Sequence, residues 1–253
     1  MKNLFAFTTL IFTSSLILFS CSEENQQEVI RSQKAIELHG EWVNKRFIAD
    51  VEKSRSVFAT TKNDYNMIYM GIDSVRLNAK VGTFKVWDDQ DGNYSTVMAY
   101  DYKKEQFVND TKKSSEILPN GKTPYTLNVN KSGDLEIDFK GKGMETYVSN
   151  LNFNSLLCDV LFDGTYKNKA TGGKVEISIN AMAQGLPFDS FKIAFDFSSY
   201  YKLDYIIAKT AAGVETRYMY WFTGKELHLQ QFVMYSDAGI EKIGAEIVLE
   251  KVG

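Results

Sequence analysis

Apolar and polar residues alternate with a period of two through much of this 253-residue chain, and that alternation decides its fold class. Tyr125, Leu127 and Val129 alternate with Thr126, Asn128 and Asn130, and the turn Lys131-Ser132-Gly133-Asp134 follows. Leu135, Ile137 and Phe139 then alternate with Glu136, Asp138 and Lys140. The pair reads as a β-hairpin with one buried face and one wet face. The pattern returns at Val175/Ile177/Ile179, at Phe191/Ile193/Phe195/Phe197 and at Ile243/Ala245/Ile247/Leu249. Turn sequences such as Asp91-Gly92-Asn93, Asn120-Gly121, Asp163-Gly164, Gly172-Gly173 and Ala238-Gly239 punctuate the runs. Little helical patterning separates them, so the expectation is an antiparallel all-β barrel or related sheet rather than βαβ units. Phe47, Ile48, Val51 and Phe58 are the exception: their spacing predicts a short helix directly after the first strand.

The amino terminus follows a different rule. Met1-Lys2-Asn3 supplies a positive start, Leu4 to Phe19 is apolar apart from Thr and Ser, and Leu18-Phe19-Ser20-Cys21 closes the run. The apolar run is shorter than the roughly 20 residues a spanning helix needs. It resembles the signal of bacterial lipoproteins, with residues 1–20 removed and Cys21 lipidated. Ser22-Glu23-Glu24-Asn25 resembles the surface-export signal of Bacteroidota lipoproteins. The resemblance implies an outer-membrane lipoprotein of the cell envelope, held to the membrane through its acyl chains. The acidic residues favour display at the surface, with the periplasmic leaflet as the alternative. Residues 21–37 read as the lipidated start and a polar tether, and 38–253 as the β domain.

Leu38-His39-Gly40-Glu41-Trp42-Val43-Asn44 opens that domain. Gly-x-Trp, followed by a strand and a short helical element, resembles the start of lipocalins and their calycin relatives. The resemblance implies a lipocalin-like β-barrel in which Gly40 and Trp42 are structural, the Trp closing one end of the lumen. Leu203-Asp204-Tyr205 also resembles the family's Thr-Asp-Tyr turn, with Leu in place of Thr. The family's Arg near the last strand has no counterpart between Ile240 and Gly253, where only Lys242 and Lys251 offer a cation. Gly164-Thr165-Tyr166-Lys167-Asn168-Lys169 repeats the pattern Gly-x-aromatic-x-Asn-Lys of Gly40 to Lys45. Two halves, 38–150 and 160–253, therefore stand as the alternative to one domain.

Catalytic and metal chemistry find little purchase. The two histidines, His39 and His228, lie far apart, and Cys158 sits in an apolar run that predicts a buried, inert thiol. Asp88-Asp89-Gln90-Asp91-Gly92-Asn93 fails as an EF-hand, since Trp87 and Met98 occupy the required ligand positions. No phosphate-binding loop or nucleophile elbow is present. Without residues 1–20 the chain carries 28 basic against 32 acidic residues and no basic block, which argues against nucleic acid as a partner. Aromatics reach 13 %. Tyr201, Tyr205, Tyr218, Tyr220 and Trp221 are the candidates for a ligand-binding wall, against the alternative of a strand apolar on both faces. The expectation is a non-enzymatic protein without cofactor or metal. It binds a small or medium apolar or glycan-like ligand, or else serves as a structural or adhesion lipoprotein with a filled core. The ligand's identity and the oligomeric state are left open by the sequence.

Overall fold

A computed structural model describes residues 25–78, 82–88, 92–109, 124–150, 152–194, 203–235 and 239–252. Cys21, Tyr201 and the alternating Phe195 and Phe197 lie outside the described residues. Strand makes up 46 % and helix 22 %.

Eight strands form a closed barrel in sequence order: β1 (Gly40–Asn44), β2 (Tyr69–Ile72), β3 (Gly82–Asp88), β4 (Gly92–Asp101), β5 (Gln106–Asn109), β6 (Tyr125–Val129), β7 (Leu135–Phe139) and β8 (Gly143–Ser149). The last strand returns to the first through Trp42↔Ser149 and Asn44↔Tyr147. The second sheet comprises β9 (Gly164–Asn168), β10 (Lys174–Ile177), β11 (Ala183–Gln184), β12 (Ser190–Ile193), β13 (Tyr205–Lys209), β14 (Glu215–Thr223), β15 (Glu226–Tyr235), β16 (Gly239–Lys242) and β17 (Ile247–Lys251). Its order is β11-β10-β9-β17-β15-β14-β13-β12, with β16 beside β15. The ends of this sheet meet: Met182 bridges Ser190, and the Phe191 N–H donates to the Ala181 carbonyl at 3.0 Å. The sheet therefore curls to near closure.

By contacts the chain falls into two compact units. One takes in the residues up to His39 with Ile72–Phe84 and Ser95–Met144; the other takes in Gly40–Gly71, Lys85–Tyr94 and everything from Glu145 onward. In the first unit, the hairpin read from the alternation is present in the expected register, Tyr125↔Phe139 through Val129↔Leu135. Asn130 sets its turn, because the side-chain oxygen accepts the Ser132 and Asp134 N–H groups at 2.9 and 3.1 Å. Tyr125, Leu127, Leu135, Ile137 and Phe139 are buried, as alternation requires. Residues 25–37 of this unit form a helix, α1, where the sequence reading expected a tether. Its polar composition hides the helix, since the buried side rests on Ala35 with Leu38 just beyond the last turn.

In the second unit, Asn44 ends β1 and caps α2 (Lys45–Ser54), accepting from Arg46 and Phe47 N–H at 2.9 and 3.3 Å. α2 and the short α3 (Val57–Thr60) are the helical element expected after the first strand. α4 (Ser74–Asn78) belongs to the first unit. α5 (Phe153–Leu161) is capped by Asn152, whose side chain accepts the Ser155 N–H at 3.2 Å. The helix was not legible, because the run Leu156-Leu157-Cys158-Asp159-Val160-Leu161 is too uniformly apolar to display a 3.6-residue period. Phe47, Val51, Leu157, Cys158 and Leu161 from α2 and α5 share one core with the inward side chains of the second sheet.

That core is filled by aromatic rings. Phe162 meets Tyr220 at 4.9 Å and Phe191 at 5.3 Å between ring centroids, and Phe188 meets Tyr218 at 5.2 Å. Such edge and tilted contacts are the favoured geometries. The β14 alternation is as expected, with Tyr218, Tyr220 and Phe222 in or against the core and Met219 and Trp221 on the opposite face. Met219 is nonetheless buried, so the strand is apolar on both sides. Two of the shorter alternating runs stop early. Ile179 lies beyond β10 and is exposed, and β17 begins at Ile247 rather than Ile243.

Gly40 and Gly164 occupy equivalent places. Each opens a five-residue strand at a φ only glycine adopts freely, +137° and +143°. Each is followed two residues later by a fully buried aromatic, Trp42 or Tyr166, lying on a strand paired with the last strand of its sheet. Asn168 repeats the role of Asn44, its side chain accepting the Ala170 and Thr171 N–H groups. A cation stands beside Tyr166: Lys251 Nζ lies 5.9 Å from the ring and donates to the Asp163 carbonyl at 2.8 Å. A methyl group at Gly164 would meet Lys251 Cε at 2.9 Å, so the glycine also makes room for that lysine.

Candidate functional site

An open groove of the second unit runs along strands β12 and β13. Strands β12 and β13 turn Phe191, Ile193, Ile206 and Ala208 into the core and leave Ser190, Lys192, Tyr205, Ile207 and Lys209 on the other side. These outward residues, together with Phe191, Ile193 and Ala194, form one wall of this open groove of about 1040 Å³. The other wall comes from Glu41 on β1, from Asn152, Phe153 and Asn154 at the start of α5, and from Asn180 and Glu215.

Local chemistry fixes both walls. Asn154 Oδ1 accepts the Ile193 N–H at 2.7 Å, tying α5 to the end of β12. Tyr69 donates its hydroxyl to Glu41, and burial together with that carboxylate holds the phenol well above its usual range. Tyr205 stands edge-on to Phe232, with centroids 5.8 Å apart and ring planes at 88°. Its ring is thus held by packing rather than left free to turn.

Asp204 anchors the start of β13 and so the position of Tyr205. Its carboxylate accepts the Phe58 N–H at 2.8 Å, the Ser56 hydroxyl and the Tyr220 hydroxyl at 3.4 Å. Burial raises its pKa above the usual carboxylate range, against the pull of those donors. Folding therefore binds the Asp204 proton more tightly than the unfolded chain does. The stability this group contributes is complete below the ordinary carboxylate pKa and is lost as pH rises through the raised value. Denaturant unfolding of the wild type and Asp204→Asn across pH 3–8 tests this. The advantage of the wild type should be largest in acid and shrink as pH rises; a pH-independent difference would contradict it.

Of the four proposed wall residues that are described, only Tyr205 lines the groove. Tyr218 and Tyr220 belong to the packed core, and burial pushes both hydroxyls above the usual phenol range. Trp221 lies on the outer face and stacks on His228, 5.0 Å between centroids at 11°. Tyr201 lies outside the described residues. The structure thus brings none of Tyr218, Tyr220 and Trp221 to the groove. Asn152, Asn154, Asn180, Ser190, Lys192 and Lys209 went unnoticed in the sequence, and only the clustered amides of Asn150, Asn152 and Asn154 hint at them.

The thiol of Cys158 is fully buried, donates to the Ser178 carbonyl at 3.1 Å and is pushed up to about 12 by burial. It stays protonated and inert at neutral pH. His228 sits between carboxylates, Nδ1 at 2.5 Å from Glu246 and Nε2 at 3.6 Å from Glu226. Among the described residues no group of three His, Cys, Asp or Glu side chains is placed to hold a metal ion. No helix among them is long and apolar enough to cross a membrane. Compared with known proteins, the chain matches no protein-family model, no curated protein and no solved structure.

Proposed function

We propose that this chain is a lipid-anchored protein of the bacterial cell envelope that binds a glycan-like ligand without chemical conversion, in the groove along β12 and β13. The observation that carries the reading is the contrast between the two sides of the second sheet. Its inner side is packed with Phe162, Phe188, Tyr218 and Tyr220, whereas a groove of about 1040 Å³ runs along β12 and β13, with Phe191 belonging to both. The groove offers three side-chain amides, a serine hydroxyl and the edge-braced ring of Tyr205. Amides and hydroxyls pair with sugar hydroxyls in both donor and acceptor roles, and an aromatic ring covers the apolar face of a pyranose. The volume lies at the upper end of small-ligand sites and suits an extended ligand. The apolar-ligand version has less support, because the space such a ligand would take is filled by rings.

A structural or adhesion role remains the second reading, and the same filled core favours it. Native mass spectrometry of the full chain, purified in mild detergent from its source cells, separates the two. The expected result is a discrete added mass that disappears on denaturation and falls about tenfold in occupancy when Tyr205→Ala is combined with Asn180→Ala. An undiminished adduct in the double variant would place the ligand elsewhere. A bare mass, repeated after incubation with lipid and glycan extracts, would favour the structural role.

A further inference from the structure

The groove opens onto a straight row of cations that form no ion pair with a described residue. Cross-strand pairing runs Lys192↔Ile207 between β12 and β13, Ile207↔Arg217 to β14, Arg217↔Phe232 to β15, and Phe232↔Lys242 to β16. Directly opposed residues share one face of an antiparallel sheet, so these five side chains form a single transverse line. Lys192, Arg217 and Lys242 are exposed along it. Each is two strands from the next, so their backbone positions are about 10 Å apart at a strand spacing of about 4.8 Å. Lys192 and Ile207 also line the groove, which makes the row a continuation of its wall.

None of the three forms an ion pair with a described residue. Lys242 instead places Nζ 5.8 Å from the Trp221 ring. Two of the carboxylates on the same strands are engaged elsewhere, while Glu215 lines the groove and lies two residues from Arg217 on β14. Glu215 stands opposite Lys209 in the neighbouring row, Glu226 pairs with Lys169 at 2.6 Å, and Glu241 accepts the Tyr235 hydroxyl at 2.9 Å. In a chain of net charge −3, three aligned cations stand out against the overall sign.

From this row we infer that the ligand of the groove is an acidic polysaccharide, laid across strands β12 to β16 with its carboxylate or sulfate groups on Lys192, Arg217 and Lys242. The inference rests on the glycan-binding reading above and names the class of glycan. Spacing favours it over nucleic acid. One strand of duplex DNA presents a phosphate every 3.4 Å or so, far denser than cations at about 10 Å, whereas a polyuronate, whose successive sugars turn their carboxylates to different sides, presents charge more sparsely along any one side. The apolar Ile207 and the Tyr205 ring lie between or beside the cations, where uncharged sugar faces would rest.

Binding of the full chain in detergent to polygalacturonate, to dextran and to a 20-nucleotide single-stranded DNA, at 50 and 500 mM NaCl, tests the inference. The expected result is binding to polygalacturonate that exceeds binding to dextran and weakens in high salt, as exposed charges are screened. Each of Lys192→Gln, Arg217→Gln and Lys242→Gln should cost about fivefold, and the triple variant about a hundredfold with its melting temperature unchanged. Equal affinity for dextran and polygalacturonate, or a triple variant that binds as the wild type does, overturns the acidic class and leaves glycan binding standing. Tighter binding to DNA than to either polysaccharide overturns it too. Failure to bind either polysaccharide counts against both readings at once.

Discussion

Phe162→Ala should destabilise the protein by about 3–5 kcal/mol, read as a lowered denaturant midpoint at unchanged slope. The residue follows α5 directly, is 1 % exposed, and touches Phe191, Tyr220 and Phe222 with centroids between 4.9 and 6.0 Å. Its carbonyl accepts the Tyr166 hydroxyl at 2.7 Å, so the backbone on both sides is held and cannot collapse into the space left behind. A truncation at such a site leaves most of its cavity open, which places the cost at the upper end for this chemistry. The experiment also bears on function. A ring lining a hollow lumen would be lost at a cost of 1 kcal/mol or less, and that result would reopen the interior as a ligand site.

Cys21→Ser should move the protein from the membrane fraction to the soluble fraction of its source cells. Each buried methylene of an acyl chain contributes about 0.8 kcal/mol, so two or more chains hold a domain firmly where none leaves it free. The described residues contain no helix able to take over that attachment. Fractionation with metabolic labelling by an alkynyl fatty acid reads both the location and the acyl chain. Full membrane retention of an unlabelled Cys21→Ser protein would overturn the anchor.

What could be read from the sequence divides along the range of the interactions involved. The β6–β7 hairpin was legible because its burial pattern and its turn are both local: alternation sets the faces and Asn130 sets the turn. The helix after β1 was legible for the same reason, through Phe47, Ile48 and Val51. Helices α1 and α5 were not, one being polar with little apolar stripe and the other apolar nearly all round. Gly40 and Gly164 announced their strands, yet only the structure shows that Lys251 completes the second copy of the pattern, since its partner Tyr166 lies on a distant strand.

The groove was beyond sequence reading altogether. Its lining comes from separate segments between Glu41 and Glu215, and no short spacing unites them. The aromatic run Tyr218 to Phe222 is the feature legible in the sequence, as a ligand wall or a strand apolar on both faces. Its tyrosines do face inward, but Phe162, Phe188 and Phe191 arrive from elsewhere in the chain and fill the space. The row Lys192–Arg217–Lys242 depends on the register of four strand pairs, which no single segment records.

Hydrogen–deuterium exchange of the full chain, with and without a glycan extract of its source cells, is the most direct test that the ligand lies outside a filled core. Slower exchange confined to peptides covering Ser190–Ile193, Tyr205–Lys209 and the start of α5 is the expected result. Protection centred instead on the barrel strands Gly40–Ser149, with the β12–β13 peptides unchanged, would contradict it.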